Sequence, residues 1–141
     1  ATTDDPDMIL LALQTAKGIS SDGNKRVFLE SAAAGALRRR NESLRSAYFD
    51  VVHTIKSSGD VRLALIAAVP FGHADPAITG EVLDAVKDDV TSDGDKRLVL
   101  VSVAEQKLLN TPSMRDLFMS AARTISSPAD VSIVMQALVQ Q

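Results

Sequence analysis

One phrase is written four times in this chain, at nearly constant spacing. ISSDGNKRVFL begins at Ile19, IKSSGDVRLAL at Ile55, VTSDGDKRLVL at Val90 and ISSPADVSIVM at Ile125, in steps of 36, 35 and 35 residues. A period of this length marks supersecondary units stacked in a row, each too small to bury its apolar face alone. No other feature of the sequence limits the fold as strongly.

Each copy holds a helix start. Ser21, Ser57, Ser92 and Ser127 stand three residues before Asn24, Asp60, Asp95 and Asp130. This is capping-box spacing, with Asp or Asn in place of the usual Glu or Gln. The serine oxygen accepts from the N3 amide, and the N3 side chain is expected to reach back to the cap amide. Acidic side chains there also suit the positive end of the helix dipole. Pro128 takes the N1 position of the fourth copy, where its missing N–H costs nothing.

The same reading disposes of two alternatives for TSDGDKRLVLVSV. A calcium loop would use Asp89, Thr91, Asp93 and Gly94 as its first, third, fifth and sixth positions, but Leu100 stands where a bidentate Glu is needed. Calcium binding is therefore not expected. A buried strand is not expected either, because the equivalent segments VRLALIAAV and RVFLESAAAGAL are rich in helix-forming alanine.

A second helix precedes each phrase. Asp5-Pro6, Asp75-Pro76 and Thr111-Pro112 each read as an N-cap followed by Pro at N1, and Asn41 or Ser43 does the same work in the second repeat. Apolar residues then recur at helical spacing: Met8, Leu11, Ala12 and Thr15; Leu44, Ala47, Tyr48, Val51 and Val52; Met114, Leu117, Phe118 and Ala121. In the helices that follow the phrase, the expected core sets are Val27, Phe28 and Ala32; Leu63, Ala64 and Ala68; Leu98, Val99 and Val103; Ile133, Val134 and Leu138. The expectation is eight helices, roughly 6–18, 22–38, 42–54, 58–69, 76–89, 93–109, 112–124 and 128–140. The fold class is all-α: a short right-handed α-solenoid of four antiparallel hairpins in one domain, with repeats at about 5–38, 41–69, 75–109 and 111–140.

Composition excludes several function classes. At 141 residues and 45% apolar content the chain can build a core. Its net charge of −3 argues against nucleic acid as a general partner. There is no Cys for disulfides or thiolate metal sites, and no apolar run of membrane-spanning length. His53 and His73 are the only histidines and sit in no zinc motif, and no nucleotide-binding glycine loop or nucleophile elbow occurs. No catalytic residue, metal or cofactor is expected.

Repeats of the form I-x-S-D-x-D-K-R-x-V-L resemble the HEAT-like helical repeats of bacterial membrane-sensor proteins, among them the extracytoplasmic parts of antirepressor-type metallopeptidases. The residues that carry the resemblance are Ile19, Ser21, Asp22, Asn24, Lys25, Arg26, Val27 and Leu29, and Val90, Ser92, Asp93, Asp95, Lys96, Arg97, Val99 and Leu100. Gly23, Gly59 and Gly94 depart from it, since those repeats usually carry an aromatic residue there. The resemblance implies a non-enzymatic segment of a larger bacterial protein, outside the cytoplasm and near a membrane that this segment does not enter.

The residues expected to meet a partner are basic. Arg26, Arg62 and Arg97 share one repeat position, with Lys25 and Lys96 beside two of them, so stacking could align them into a ladder for an acidic ligand. Asp22 to Arg26 and Asp93 to Arg97 are also candidate i,i+4 pairs. Arg38, Arg39 and Arg40 form a basic run at a helix end, and PFGHAD, from Pro70, is a candidate contact loop. The expected function is protein–protein interaction or scaffolding with a protein or peptide partner. A HEAT-like nucleic-acid binder is the alternative. The last helix, ADVSIVMQALVQQ, carries six apolar residues from Ile133 to Val139, more than a single hairpin is expected to hide, so a homodimer through this end is also expected.

Overall fold

The computed structural model describes residues 3–141, and these form eight α-helices and one short 3-10 helix, with no strand among them. The α-helices are α1 (Pro6–Ala16), α2 (Asp22–Leu37), α3 (Glu42–Thr54), α4 (Ser58–Ala68), α5 (Pro76–Asp88), α6 (Asp93–Glu105), α7 (Pro112–Ala122) and α8 (Pro128–Gln140). Every one opens on a side-chain cap. Asp5, Ser21, Asn41, Ser57, Asp75, Ser92, Thr111 and Ser127 each accept from an amide two or three residues on.

The helices sort into two layers. In one, α1 packs on α3 and α5 on α7; in the other, α2, α4, α6 and α8 each pack on the next. The core lies between the layers and between successive repeats. Leu29, Leu65 and Leu100 share one repeat position and are fully buried, as are Ala64, Val99 and Val134 at the neighbouring one. Tyr48 is buried with its hydroxyl donating to the Ala64 carbonyl at 2.7 Å, and burial pushes the phenol's pKa far up. Gly35 sits where α1 crosses α2: a Cβ there would lie 3.1 Å from Ile9 Cδ1, so the glycine permits the close approach.

Four features differ from the sequence-based expectation. In α1 the expected set Met8, Leu11, Ala12 and Thr15 is exposed, and Ile9, Leu13 and Ala16 are the buried residues. The helix expected to reach residue 109 stops at Glu105, because Lys107 adopts a left-handed φ of 59° and turns Leu108 and Leu109 back into the core. The PFGHAD loop is instead part of a 3-10 helix, Val69–His73. Gly72 within it is buried against Leu108 and Thr79, whose hydroxyl a Cβ would strike. Asp75, which follows, is buried and pairs with Arg45 at 3.0 Å while capping α5. The last difference concerns the core sets, whose first members point outward. Val27, Leu98 and Ile133 are exposed and Leu63 is half-buried, and in the first three repeats the buried places belong to Leu29, Leu65 and Leu100, two residues later.

Candidate interaction surface

The residues of the repeated phrase turn out to join repeats to one another. The first residue of α2, α4 and α6 reaches into the next repeat. Asp22 Oδ2 accepts from the amides of Lys56 and Ser57, Ser58 Oγ from Thr91 and Ser92, and Asp93 Oδ2 from Ser126 and Ser127. The cap amides of Ser57, Ser92 and Ser127 are thus taken by the preceding repeat. The expected return arm of the capping box is not what the third-residue aspartates do.

Those aspartates receive the arginines of the preceding repeat. Arg26 Nε lies 3.2 Å from Asp60, Arg62 Nε 3.1 Å from Asp95, and Arg97 Nη1 3.0 Å from Asp130. Arg26 also donates to Glu30 at 2.8 Å, and its guanidinium pKa is raised first by that bond and then by Asp60. The Arg62 contact is an ion pair without hydrogen-bond alignment, because its buried Nε makes no directed bond. The arginines do share one edge, as their register predicts. Each is committed to an acid of its own chain, and the expected i,i+4 pairs with Asp22 and Asp93 are replaced by pairs across the junctions.

The other basic candidates are dispersed. Lys25 and Lys96 are buried, and Lys96 Nζ donates to the Thr124 hydroxyl at 3.0 Å and its carbonyl at 3.3 Å. Arg38 and Arg39 meet Asp4 at 2.8 and 3.5 Å, and Arg40 is exposed at the start of the next link. His53 pairs with Asp89 at 2.6 Å across the second junction. Among the described residues, no three His, Asp or Glu gather where they could hold a metal ion. No helix is long and apolar enough to cross a membrane.

A different surface was missed. On the outer face of the even-numbered helices, three residue types recur in register. Val27, Leu63, Leu98 and Ile133 form a row of branched aliphatics; Gly23, Gly59, Gly94 and Ala129 lie one turn before them; Ser31, Ala67, Ser102 and Ala137 lie one turn after. No charged side chain enters these rows. Successive packed helices lie about 8–10 Å apart, so the aliphatic row runs roughly 30 Å. A shallow cleft between α6 and α8 includes Ile133 and Ala137, but the charged Glu105 and Lys107 also line it, with Val101 and Gln136. The ion pairs Arg26–Asp60, Arg62–Asp95 and Arg97–Asp130, partly exposed, cross the junctions between successive members of the row. The sequence holds a signal for this face: an aliphatic residue four positions after Gly or Ala and four before Ser or Ala, at the same place in each repeat. It is obscured because Leu63, Leu98 and Ile133 directly precede buried residues, and Val27 a half-buried one, so that they read as core.

Comparison of the chain with protein-family models, curated proteins and solved structures gave no match.

Proposed function

We propose that this chain is a non-catalytic helical-repeat scaffold that docks a protein partner on the outer face of α2, α4, α6 and α8. The observation that carries this reading is the uncharged aliphatic row shared by all four repeats. Water-exposed aliphatics scattered singly need no explanation, but an aliphatic at one outward position of every repeat supports an interaction surface. The basic residues of the phrase support the same reading indirectly. They are used in holding repeats together and are not open to a ligand. A setting outside the bacterial cytoplasm, as part of a larger protein, belongs to this proposal through the resemblance of the repeats.

Nucleic-acid binding is the weaker reading. It needs a row of cations open to phosphates, and Arg26, Arg62 and Arg97 each face an aspartate. The test compares cross-linked proteins captured from an extract by the parent chain and by a Val27→Glu, Leu98→Glu, Ile133→Glu variant. Partners captured by the parent should be lost from the variant at unchanged helicity. Identical capture by both would overturn the assignment of this face.

A further inference from the structure

The first repeat turns an apolar surface toward the end of the stack. Met8 and Leu11 are 57% and 62% exposed, and Phe28 is half-buried. The same places in later repeats are closed. Leu44 and Thr79 stand at the Met8 position and Ala47 and Val82 at the Leu11 position, all buried; Ala64, Val99 and Val134 at the Phe28 position are fully buried. What closes them is the repeat before. Thr79 meets Gly72 at the end of the second repeat, and a Cβ on Gly80 of the third would lie 3.9 Å from Leu117 Cδ1, at the Leu11 position of the fourth. A terminal repeat ordinarily turns a polar face outward. Here the places that a preceding repeat would cover hold Met, Leu and Phe. Met8 and Phe28 border an apolar hollow of about 210 Å³ between α1 and α2, with the Asp4–Arg38 ion pair at its edge.

A second observation, in the backbone, agrees. At each internal junction two consecutive amides ahead of the even-numbered helix donate to one side-chain oxygen of the preceding repeat. Lys56 and Ser57 donate to Asp22, Thr91 and Ser92 to Ser58, and Ser126 and Ser127 to Asp93. The equivalent pair in the first repeat is Ser20 and Ser21, and no oxygen of the described residues accepts from either amide. The first repeat therefore carries both halves of a junction, the apolar places and the donor pair. A second copy of the chain stacked in the same sense does not complete it, because α8 opens on Pro128, which has no side-chain oxygen to offer.

We infer that the open face of the first repeat takes one more helical hairpin of this repeat, carried ahead of α1 by the same polypeptide, with an aspartate or serine opening its second helix. The side-chain oxygen of that residue accepts from the Ser20 and Ser21 amides, and the hairpin covers Met8, Leu11 and Phe28. Asn24 is neutral where Asp60, Asp95 and Asp130 receive arginines, so this junction needs no arginine from the hairpin. The links argue for the same polypeptide. Residues 38–41 join α2 to α3 and residues 106–111 join α6 to α7, so a hairpin stacked in the same way ends close to Asp5. This rests on the reading of the chain as part of a larger repeat protein and is independent of the outer face.

The test supplies such a hairpin. A copy of residues 75–109, whose second helix opens on the copy of Asp93, is joined to Thr3 and compared with the parent by NMR and thermal melts. In the fusion the Ser20 and Ser21 amides should shift and exchange roughly tenfold or more slowly than in the parent. Alanine at the copy of Asp93 should return them to the parent's rates at unchanged helicity. Leu11→Glu should leave the melting temperature of the parent unchanged and lower that of the fusion by several degrees. Amides that exchange alike in parent and fusion, or a Leu11→Glu effect equal in both, would overturn the hairpin. Self-association of the parent that Leu11→Glu abolishes would make a second copy the occupant. A separate protein captured by the parent and lost from Leu11→Glu would take the place of the preceding repeat. Either result overturns the proposal, and neither bears on the outer face, whose own variants are tested separately.

Discussion

Replacing Asp93 isolates the hydrogen bonds that join the third and fourth repeats. Its Oδ2 accepts from the Ser126 and Ser127 amides at 3.2 and 2.9 Å. Hydrogen bonds to a charged group contribute about 1.5–3 kcal/mol each. Ser126 is exposed and Ser127 and Asp93 are half-buried, so water recovers part of this in Asp93→Ala. About 2 kcal/mol for the two bonds is the appropriate lower estimate. Loss of a carboxylate at a helix N-terminus adds about 0.5 kcal/mol. The expected cost is therefore roughly 2.5 kcal/mol, about 5–10 °C in melting temperature for a chain of this size. Asp93→Ser has an internal precedent: Ser58 Oγ serves the preceding junction, accepting from Thr91 and Ser92 at 3.2 and 3.1 Å. Serine should recover more than half of the loss. Urea melts of the parent and both variants, analysed with a common slope, make the measurement. An alanine variant within 0.5 kcal/mol of the parent, or a serine variant as unstable as alanine, would refute the junction role.

Reversing Arg26, Arg62 and Arg97 to Glu should lower the melting temperature, most at low salt, because each new carboxylate faces Asp60, Asp95 or Asp130; unchanged stability would show that the pairs are idle. Gly72→Ala should cost about 2–3 kcal/mol by overpacking against Thr79, whereas Gly59→Ala should stabilise by about 0.5 kcal/mol, and denaturant melts that rank the two the other way would contradict the geometry. Millimolar calcium should leave the melting temperature unchanged, since Asp93 is engaged by two amides and Asp89 by His53; a rise that EDTA reverses would count against this.

What could be read in advance was whatever depends on local chemistry. The serine caps and prolines locate every helix start but that of α3 to the residue, because an N-cap is a contact between a side chain and its own backbone; at α3 the sequence offers Asn41 and Ser43, and Asn41 is the cap. The period places the helices in repeats. The partners of the phrase's charges could not be read, because they lie one repeat away: Asp22, Asp60, Arg62 and Asp93 contact residues 33 to 35 positions distant. The aliphatic face was hidden by adjacency. Leu98 next to Val99 looks like one broad apolar stripe, yet successive helical residues differ by about 100° in direction, and only one of the two can face the neighbouring repeat. Lys25 and Lys96 erred in the opposite sense. They look like surface cations and are buried, with Lys96 tied to Thr124.

The junction chemistry also bears on how copies of the chain could meet. Three junctions use an acceptor on the first residue of one even-numbered helix and an arginine paired with an aspartate in the next repeat. The outer repeats lack these parts. Asn24 stands where an aspartate would receive an arginine, Ser132 stands at the arginine position, and Pro128 has no side-chain oxygen for the following amides. End-to-end stacking would therefore rest on apolar contact alone. The last helix offers less of it than its composition suggests. Val134 is fully buried and Met135, Ala137 and Leu138 pack against the core, leaving Ile133 at 41% and Val139 at 81% exposure. Ile133 belongs to the row on the outer face, so Val139 is the main apolar residue of that end. If the chain self-associates at micromolar concentration, sedimentation of Val139→Glu and Leu98→Glu separates the two surfaces. Dimers that survive Val139→Glu and dissolve with Leu98→Glu would make a second copy, and not a separate protein, the occupant of the outer face. Dimers that behave in the opposite way would place the interface at the C-terminal end and show that one exposed valine outweighs the whole row.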